Sequence, residues 1–170
     1  MGFVSKILLH CGCGGARLPE WLKACREVRV DIDETCGPDV VSDMTALGVA
    51  GPFDAVYCSH ALEHLHQEAG GKALAEFYRV LCEGGVAIVF VPDLEDVKPT
   101  EDVLFTAPAG PITGLDLIYG YRKMTQEKPH MKHLTGFVKE TLRKAVMGAG
   151  FSRVEVNRIG NYELMGVGIK

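Results

Sequence analysis

Short apolar runs alternate along this chain with stretches in which apolar residues recur every three or four positions, a pattern that predicts a parallel sheet with crossover helices. Ile7 to His10 reads as a strand, and Pro19 to Arg26 as a helix with Pro19 in its first turn. Val28 to Ile32 is a second strand and Val40 to Ser42 a short third; Phe53 to Cys58, after the turn pair Gly51-Pro52, is a fourth. From Lys72 to Leu81 the apolar residues Leu74, Phe77, Tyr78 and Leu81 share one helical face, and Gly84-Gly85 closes that helix. Val86 to Val91 is continuously apolar, as suits a strand covered on both faces. After Pro92 the pattern breaks until about residue 136, a long excursion of a kind that is commonly functional. Order returns with a helix over Val138 to Met147, then strands over Val154 to Arg158 and Glu163 to Ile169, whose turn at Gly160-Asn161 predicts an antiparallel pair.

The 170 residues, 47% of them apolar, suffice for one core, so a single domain over 1–170 is expected, with 92–136 as its substrate or lid segment. A strand starting near residue 6 and the lack of a long apolar run predict a cytoplasmic protein without a membrane span. Six cysteines without paired CxxC spacing read as free thiols. A formal net charge of -4 gives no general attraction to nucleic acid. Acidic residues gather over 93–102 and basic ones over 122–144; two solvated faces explain most of them, and an acidic acceptor or carrier is the sharper alternative.

Gly12 and Gly14 follow the first strand directly. Glycine there permits positive φ and close approach of main chain to a ligand, while a helix start beyond it would supply free N–H donors. Asp31, closing the second strand, can accept hydrogen bonds from ribose hydroxyls. Together these features describe a nucleoside-containing cofactor. The dinucleotide fingerprint would need glycine where the chain has Arg17, which places NAD second.

The segments "LLHCGCGGA", "VDID", "VSDMTAL", "FDAVYCSHALEHL" and "EFYRVLCEGGVAIVFVPD" resemble, in order and spacing, the motifs of class I S-adenosylmethionine-dependent methyltransferases, especially the small type 11 group. The resemblance implies an α/β, doubly wound, seven-stranded, mostly parallel sheet of order 3-2-1-4-5-7-6 with strand 7 antiparallel. It implies that Gly12, Cys13 and Gly14 cradle the methionine part of the cofactor, that Asp31 holds the ribose, and that Ile32 lies beside the adenine. It places Asp43 at the adenine amino group, Met44 on the ring, and Ser59 and His60 at the methionine end. The chain departs from the family at His10, where an acid is usual, and at Ala16, often glycine. A neutral His10, hydrogen-bonded to the loop or through water to the cofactor, is the expectation there.

Methyl transfer is an in-line displacement that depends chiefly on positioning, and a general base matters only when the acceptor must lose a proton. His60, Asp93, Tyr119 and His133 are candidates for acceptor contacts or a base, at the sheet edge where the excursion should lie. "HALEH" also spells HxxEH, a zinc-ligand pattern; on a helix His60 and His64 would share a face, with Glu63 activating water and Glu68 or Glu76 as third ligand. Against that reading, the segment follows an apolar strand directly, and Gly70 and Gly71 interrupt any long helix. The expected function is methyl transfer from S-adenosylmethionine to a small or carrier-borne acceptor, in a possible homodimer. A non-catalytic cofactor-binding module and a zinc hydrolase are the alternatives.

Overall fold

The computed structural model describes residues 6–170. Seven strands form one sheet of order β3-β2-β1-β4-β5-β9-β8. They are β1 (Ile7–Cys11), β2 (Arg26–Asp31), β3 (Val40–Val41), β4 (Phe53–Ser59), β5 (Leu81–Pro92), β8 (Arg153–Arg158) and β9 (Glu163–Ile169). β1 to β5 run parallel, whereas β9 is antiparallel to both β5 and β8. This is the expected order, with β8 and β9 as the sixth and seventh strands of the main sheet.

Two helices pack on one face. α1 (Gln67–Val80) buries Ala73, Leu74, Phe77 and Val80, and α4 (Lys139–Gly148) buries Leu142 and Val146. These side chains join Leu9, Val56, Val89 and Leu164 of the sheet in the main core. Burying a side chain the size of Phe77 contributes about 2–3 kcal/mol, and this face holds the larger of the two apolar clusters. α1 begins five residues earlier than the periodicity predicts and contains Gly70 and Gly71 rather than stopping at them. Gly70 is buried, and a methyl there would make only an ordinary contact with Leu62 at 3.7 Å, so packing at that point does not demand glycine.

The opposite face differs from expectation. Between β1 and β2 there is no α-helix, only a single 3-10 turn at Glu20–Leu22. Leu18 and Leu22 pack against Leu8, Tyr57, Ile88 and Phe90, so their i, i+4 spacing reflects a loop laid across the sheet. The helix N-terminus anticipated behind the glycine turn is therefore absent, and the turn must act through its own backbone.

The excursion after Pro92 is folded, not irregular. It holds a separate hairpin, β6 (Val103–Ala107) with β7 (Gly110–Thr113), then α2 (Gly114–Tyr119) and α3 (Arg122–Glu127). Thr113 and Asp116 form a capping box at the start of α2. Asp116 also accepts from the Arg122 guanidinium at 3.0 Å, and Arg122 makes two further bonds to Glu101 at 2.9 and 2.7 Å. Some of the acidic and basic residues thus neutralise each other within this excursion. Asp93 bridges in parallel to Phe137, and Leu94 N–H donates to Phe137 O at 2.9 Å, so the excursion leaves and rejoins the body at one point.

Candidate active site

Strand register gathers the site at one sheet edge. Cys11 pairs with Val30 on β2 and with Cys58 on β4, so Gly12, Asp31 and Ser59 emerge side by side. Ser59 pairs with Phe90 on β5, and Pro92 with Glu163 on β9, which extends the row across the sheet.

Gly12 (φ 63°) and Gly14 (φ 47°) are both left-handed, but the space around them differs. A methyl on Gly12 would come 2.4 Å from the Ala61 Cβ, whereas one on Gly14 would meet nothing within 4 Å. Gly12 is therefore bare because the protein packs on it; Gly14 is bare beside open space. Val30 O accepts from the N–H groups of Gly12 and Cys13, at 2.9 and 3.2 Å. Gly14 N–H donates to Asp31 Oδ2 at 2.7 Å, and Asp33 N–H to Asp31 Oδ1 at 2.9 Å. Each Asp31 oxygen keeps a lone pair for a ribose hydroxyl. Arg29, which the sequence reading passed over, pins the loop by donating to Gly14 O and Ala16 O, both at 2.7 Å. The Cys13 side chain is buried, and burial pushes its thiol up to about 11, so any part it plays in binding is through its backbone.

A small cleft of about 90 Å³ lies beside the loop, lined by Gly12, Val30, Asp31, Ile32, Ser42, Asp43, Met44 and Leu65. Ile32 is 66% exposed, an uncovered apolar surface at the cleft mouth. Asp43 Oδ1 accepts from the N–H and hydroxyl of Thr45, both at 2.8 Å, which leaves Oδ2 for an amino group. A carboxylate for a sugar, apolar Ile32 and Met44 for a purine face, a second carboxylate and bare backbone at Gly14 fit an adenosyl group whose outer part lies in open groove.

His10 is not at this cleft. It is buried on the opposite face, with Nδ1 2.6 Å from Glu27 Oε1 and its ring edge-on to Tyr57 at 5.1 Å. Burial lowers its pKa, outweighing Glu27, so the ring is neutral as expected; its partner, however, is Glu27 rather than the loop or the cofactor.

A larger cavity of about 540 Å³ lies under the excursion. His60, Glu63, His64, His133 and Glu163 line one side; Phe105, Ile112, Leu117, Tyr121 and Met124 line the other. His60 has a left-handed backbone (φ 50°), with Nε2 2.7 Å from Glu163 Oε1 and Nδ1 3.4 Å from Glu63 Oε1. Burial alone would lower its pKa, but the two carboxylates raise it to about 10. It is an imidazolium at neutral pH and cannot serve as a base. Glu63 is buried; desolvation opposes its charge, yet His60 and the neighbouring histidines lower its pKa overall.

Of the other anticipated residues, His133 lines the cavity and Tyr119 does not. Tyr119 is 59% exposed, and its carbonyl accepts from His133 N–H at 3.1 Å. Asp93 is fully buried, 2.5 Å from Arg158 Nε, and accepts from Glu95 N–H at 3.0 Å. An ion-paired carboxylate behind the cavity wall holds the sheet edge and does not face an acceptor. The HxxEH reading fails in its ligand set: residues 62–64 form a 3-10 turn, and His60 turns to Glu163. Glu68 pairs with Lys72 and Glu76 with Arg79.

Comparison with known proteins agrees with this geometry. The sequence profile described as "Methyltransferase domain" matches residues 9–89. No curated protein sequence matches the chain significantly. Among solved structures, a Burkholderia thailandensis 1,6-didemethyltoxoflavin-N1-methyltransferase, crystallised with 1,6-didemethyltoxoflavin and S-adenosylhomocysteine, aligns at TM-score 0.66 and 16% identity, over 98% of this chain and 71% of that one. A Mesorhizobium loti S-adenosylmethionine-dependent methyltransferase aligns at TM-score 0.68 and 16% identity, over 98% and 91%. A Thermotoga maritima protein described as a possible histamine N-methyltransferase aligns at TM-score 0.67 and 18% identity, over 99% and 84%. At such identities the structural matches speak to fold, and the profile match covers under half of the chain. Taken with the glycine turn and the two carboxylates of the cleft, they show that residues 9–89 resemble a methyltransferase domain and that the chain has the fold of S-adenosylmethionine-dependent methyltransferases.

Proposed function

We propose that the protein transfers a methyl group from S-adenosylmethionine to a small acceptor held in the cavity under the excursion. The observation that carries this reading is the cavity itself: about 540 Å³, within the range of small-molecule sites, at the same sheet edge as the glycine loop. Asp31, Asp43, Ile32 and Met44 hold the adenosine, and the backbone of Gly12 to Gly14 together with Ser59 and His60 borders the methionine part. The bound cofactor supplies the electrophilic methyl. His60, fixed by Glu63 and Glu163, orients groups at the junction of cleft and cavity, and the apolar wall of Phe105, Ile112, Leu117 and Met124 excludes water and aligns the acceptor. The cavity favours an enzyme over a binding module, since a module needs no second chamber.

The excursion over 92–136 serves as the acceptor-binding part of a single domain. Exposed Trp21 and Val41 offer surface for a homodimer, which sedimentation of the purified protein tests. Six free thiols suit a reducing cytoplasm, and among the described residues no helix is long and apolar enough to cross a membrane. The test of function is methyl transfer from labelled S-adenosylmethionine to fractionated small molecules, with Ala107→Trp as a cavity-filling control. The variant should bind S-adenosylhomocysteine normally and lose transfer. Tight cofactor binding with no transfer to any fraction would refute the enzyme and favour the module.

A further inference from the structure

Glu63 is buried, and its Oε2 is the sole buried side-chain nitrogen or oxygen among the described residues without a hydrogen-bond partner. A bare carboxylate oxygen in that position is costly unless something polar or cationic meets it. Two imidazoles are beside it. His64 and His133 lie with ring centroids 5.2 Å apart, and one ligand atom from each, with one from Glu63, fall within 4.8 Å of one another. All three residues line the same cavity.

The tautomers are set by the backbone. His64 Nδ1 lies 3.1 Å from Lys132 O, and His133 Nδ1 lies 2.8 Å from Leu117 O. A carbonyl can only accept, so each Nδ1 carries the proton and donates, and each Nε2 presents its lone pair. A ring N–H fixed on a backbone carbonyl is the usual outer support of a metal-bound histidine. His133 is brought to Glu63 by main chain as well, because Leu134 and Thr135 N–H donate to Glu63 O at 2.8 and 3.1 Å.

We propose that Glu63, His64 and His133 form a binding site for one divalent first-row transition cation, of the zinc class, with its open coordination position facing the acceptor cavity. Two imidazoles and one carboxylate are borderline donors that suit such a cation better than Mg²⁺ or Ca²⁺, which prefer all-oxygen sites. Ligand atoms around a tetrahedral zinc lie about 3.3 Å apart, so side-chain movements of about 1 Å close the site. Resting on the methyl-transfer reading, the open position takes an oxygen of the acceptor, which makes hydroxyl- or carboxylate-bearing molecules the favoured class.

A second cluster of ligand type, Cys13, Asp31 and Cys36, must be separated from it. There both Asp31 oxygens are already engaged by backbone N–H groups, and Cys36 Sγ lies 2.9 Å from Asp33 O. The experiment strips the full-length protein with chelator and titrates it with Zn²⁺ by calorimetry and with Co²⁺ by visible absorption. One equivalent should bind, with affinity reduced at least about tenfold in both His133→Ala and Glu63→Gln and unchanged in Cys36→Ser. Far-ultraviolet circular dichroism and the urea-unfolding midpoint of each variant verify that it is folded. No binding to the wild type, equal affinity in His133→Ala, or loss in Cys36→Ser instead would overturn the assignment. Should the wild type bind metal as stated but not S-adenosylhomocysteine, the metal site stands and the transfer function falls.

Discussion

Two alanine substitutions two residues apart should have opposite consequences. Gly14→Ala adds a methyl into open space at φ 47°, so its cost to folding is the left-handed backbone alone, about 1–2 kcal/mol. For a chain of this length that lowers Tm by roughly 2–8 °C. Its effect on the cofactor is larger, because the methyl stands where bare main chain meets the ligand. A steric loss of about 2–3 kcal/mol weakens S-adenosylhomocysteine binding roughly 30- to 150-fold. Gly12→Ala places its methyl 2.4 Å from Ala61 Cβ and 3.2 Å from Met44 Cε, at φ 63°. Backbone strain of about 1–2 kcal/mol and overpacking of about 1–3 kcal/mol add to roughly 2–5 kcal/mol. This variant is mainly a stability mutant. Differential scanning calorimetry and binding titration on the same preparations separate the two effects. A Gly14→Ala protein that binds S-adenosylhomocysteine within twofold of wild type would refute the idea that the ligand lies against this loop.

Other outcomes follow from the ion pairs and buried histidine. Arg158→Ala leaves the buried Asp93 carboxylate without its cation; with the arginine 39% exposed, a loss of about 2–3 kcal/mol is expected in urea unfolding, and a loss below 0.5 would mean that solvent replaces the pair. Asp116, held at about 2 by Thr113 and Arg122 against the cost of burial, contributes about 2 kcal/mol that is complete above roughly pH 4 and disappears as pH falls through about 2. Amide exchange of the 113–122 segment should accelerate over that window, and Asp116→Asn should abolish the pH dependence. His10 titrates lower in the folded state than its ordinary value, so the unfolded chain takes up that proton first. Its contribution is complete above about pH 6.5 and declines below it; in His10→Gln the slope of stability against pH between about 6.5 and 5 should flatten, and an unchanged slope would assign the effect to another group.

The strands of the main sheet were readable because buried parallel strands leave runs such as Val86 to Val91, which no other element of that length explains. Asp31 stood out through the local order strand, glycine turn, strand, acid and Asp43 through the resemblance alone; the structure puts both on the small cleft. The helix expected at Pro19 to Arg26 was not there, since Leu18 and Leu22 meet the sheet from a loop with a spacing that also suits a helix. Within the excursion, the Thr113-x-x-Asp116 pattern was available as a capping signal, but the partnership of Asp116, Arg122 and Glu101 depends on chain reversal. The grouping of Glu63 and His64 with His133 was hidden for the same reason: seventy residues of sequence separate groups that two backbone hydrogen bonds bring together. His60 was singled out as a site residue, but its pairing with Glu163 comes from the antiparallel return of β9.

The joint at Asp93 and Phe137 makes the stretch between them a cassette. Its hairpin and short helices share no strand with the seven-stranded sheet, and both of its ends are fastened to neighbouring backbone, so it can be exchanged without re-registering any strand. On the proposed reading, replacing it with a tight turn should leave a scaffold that binds S-adenosylhomocysteine but has no acceptor cavity. On that same reading, the acceptor range of this scaffold is altered by trading one contiguous piece of chain.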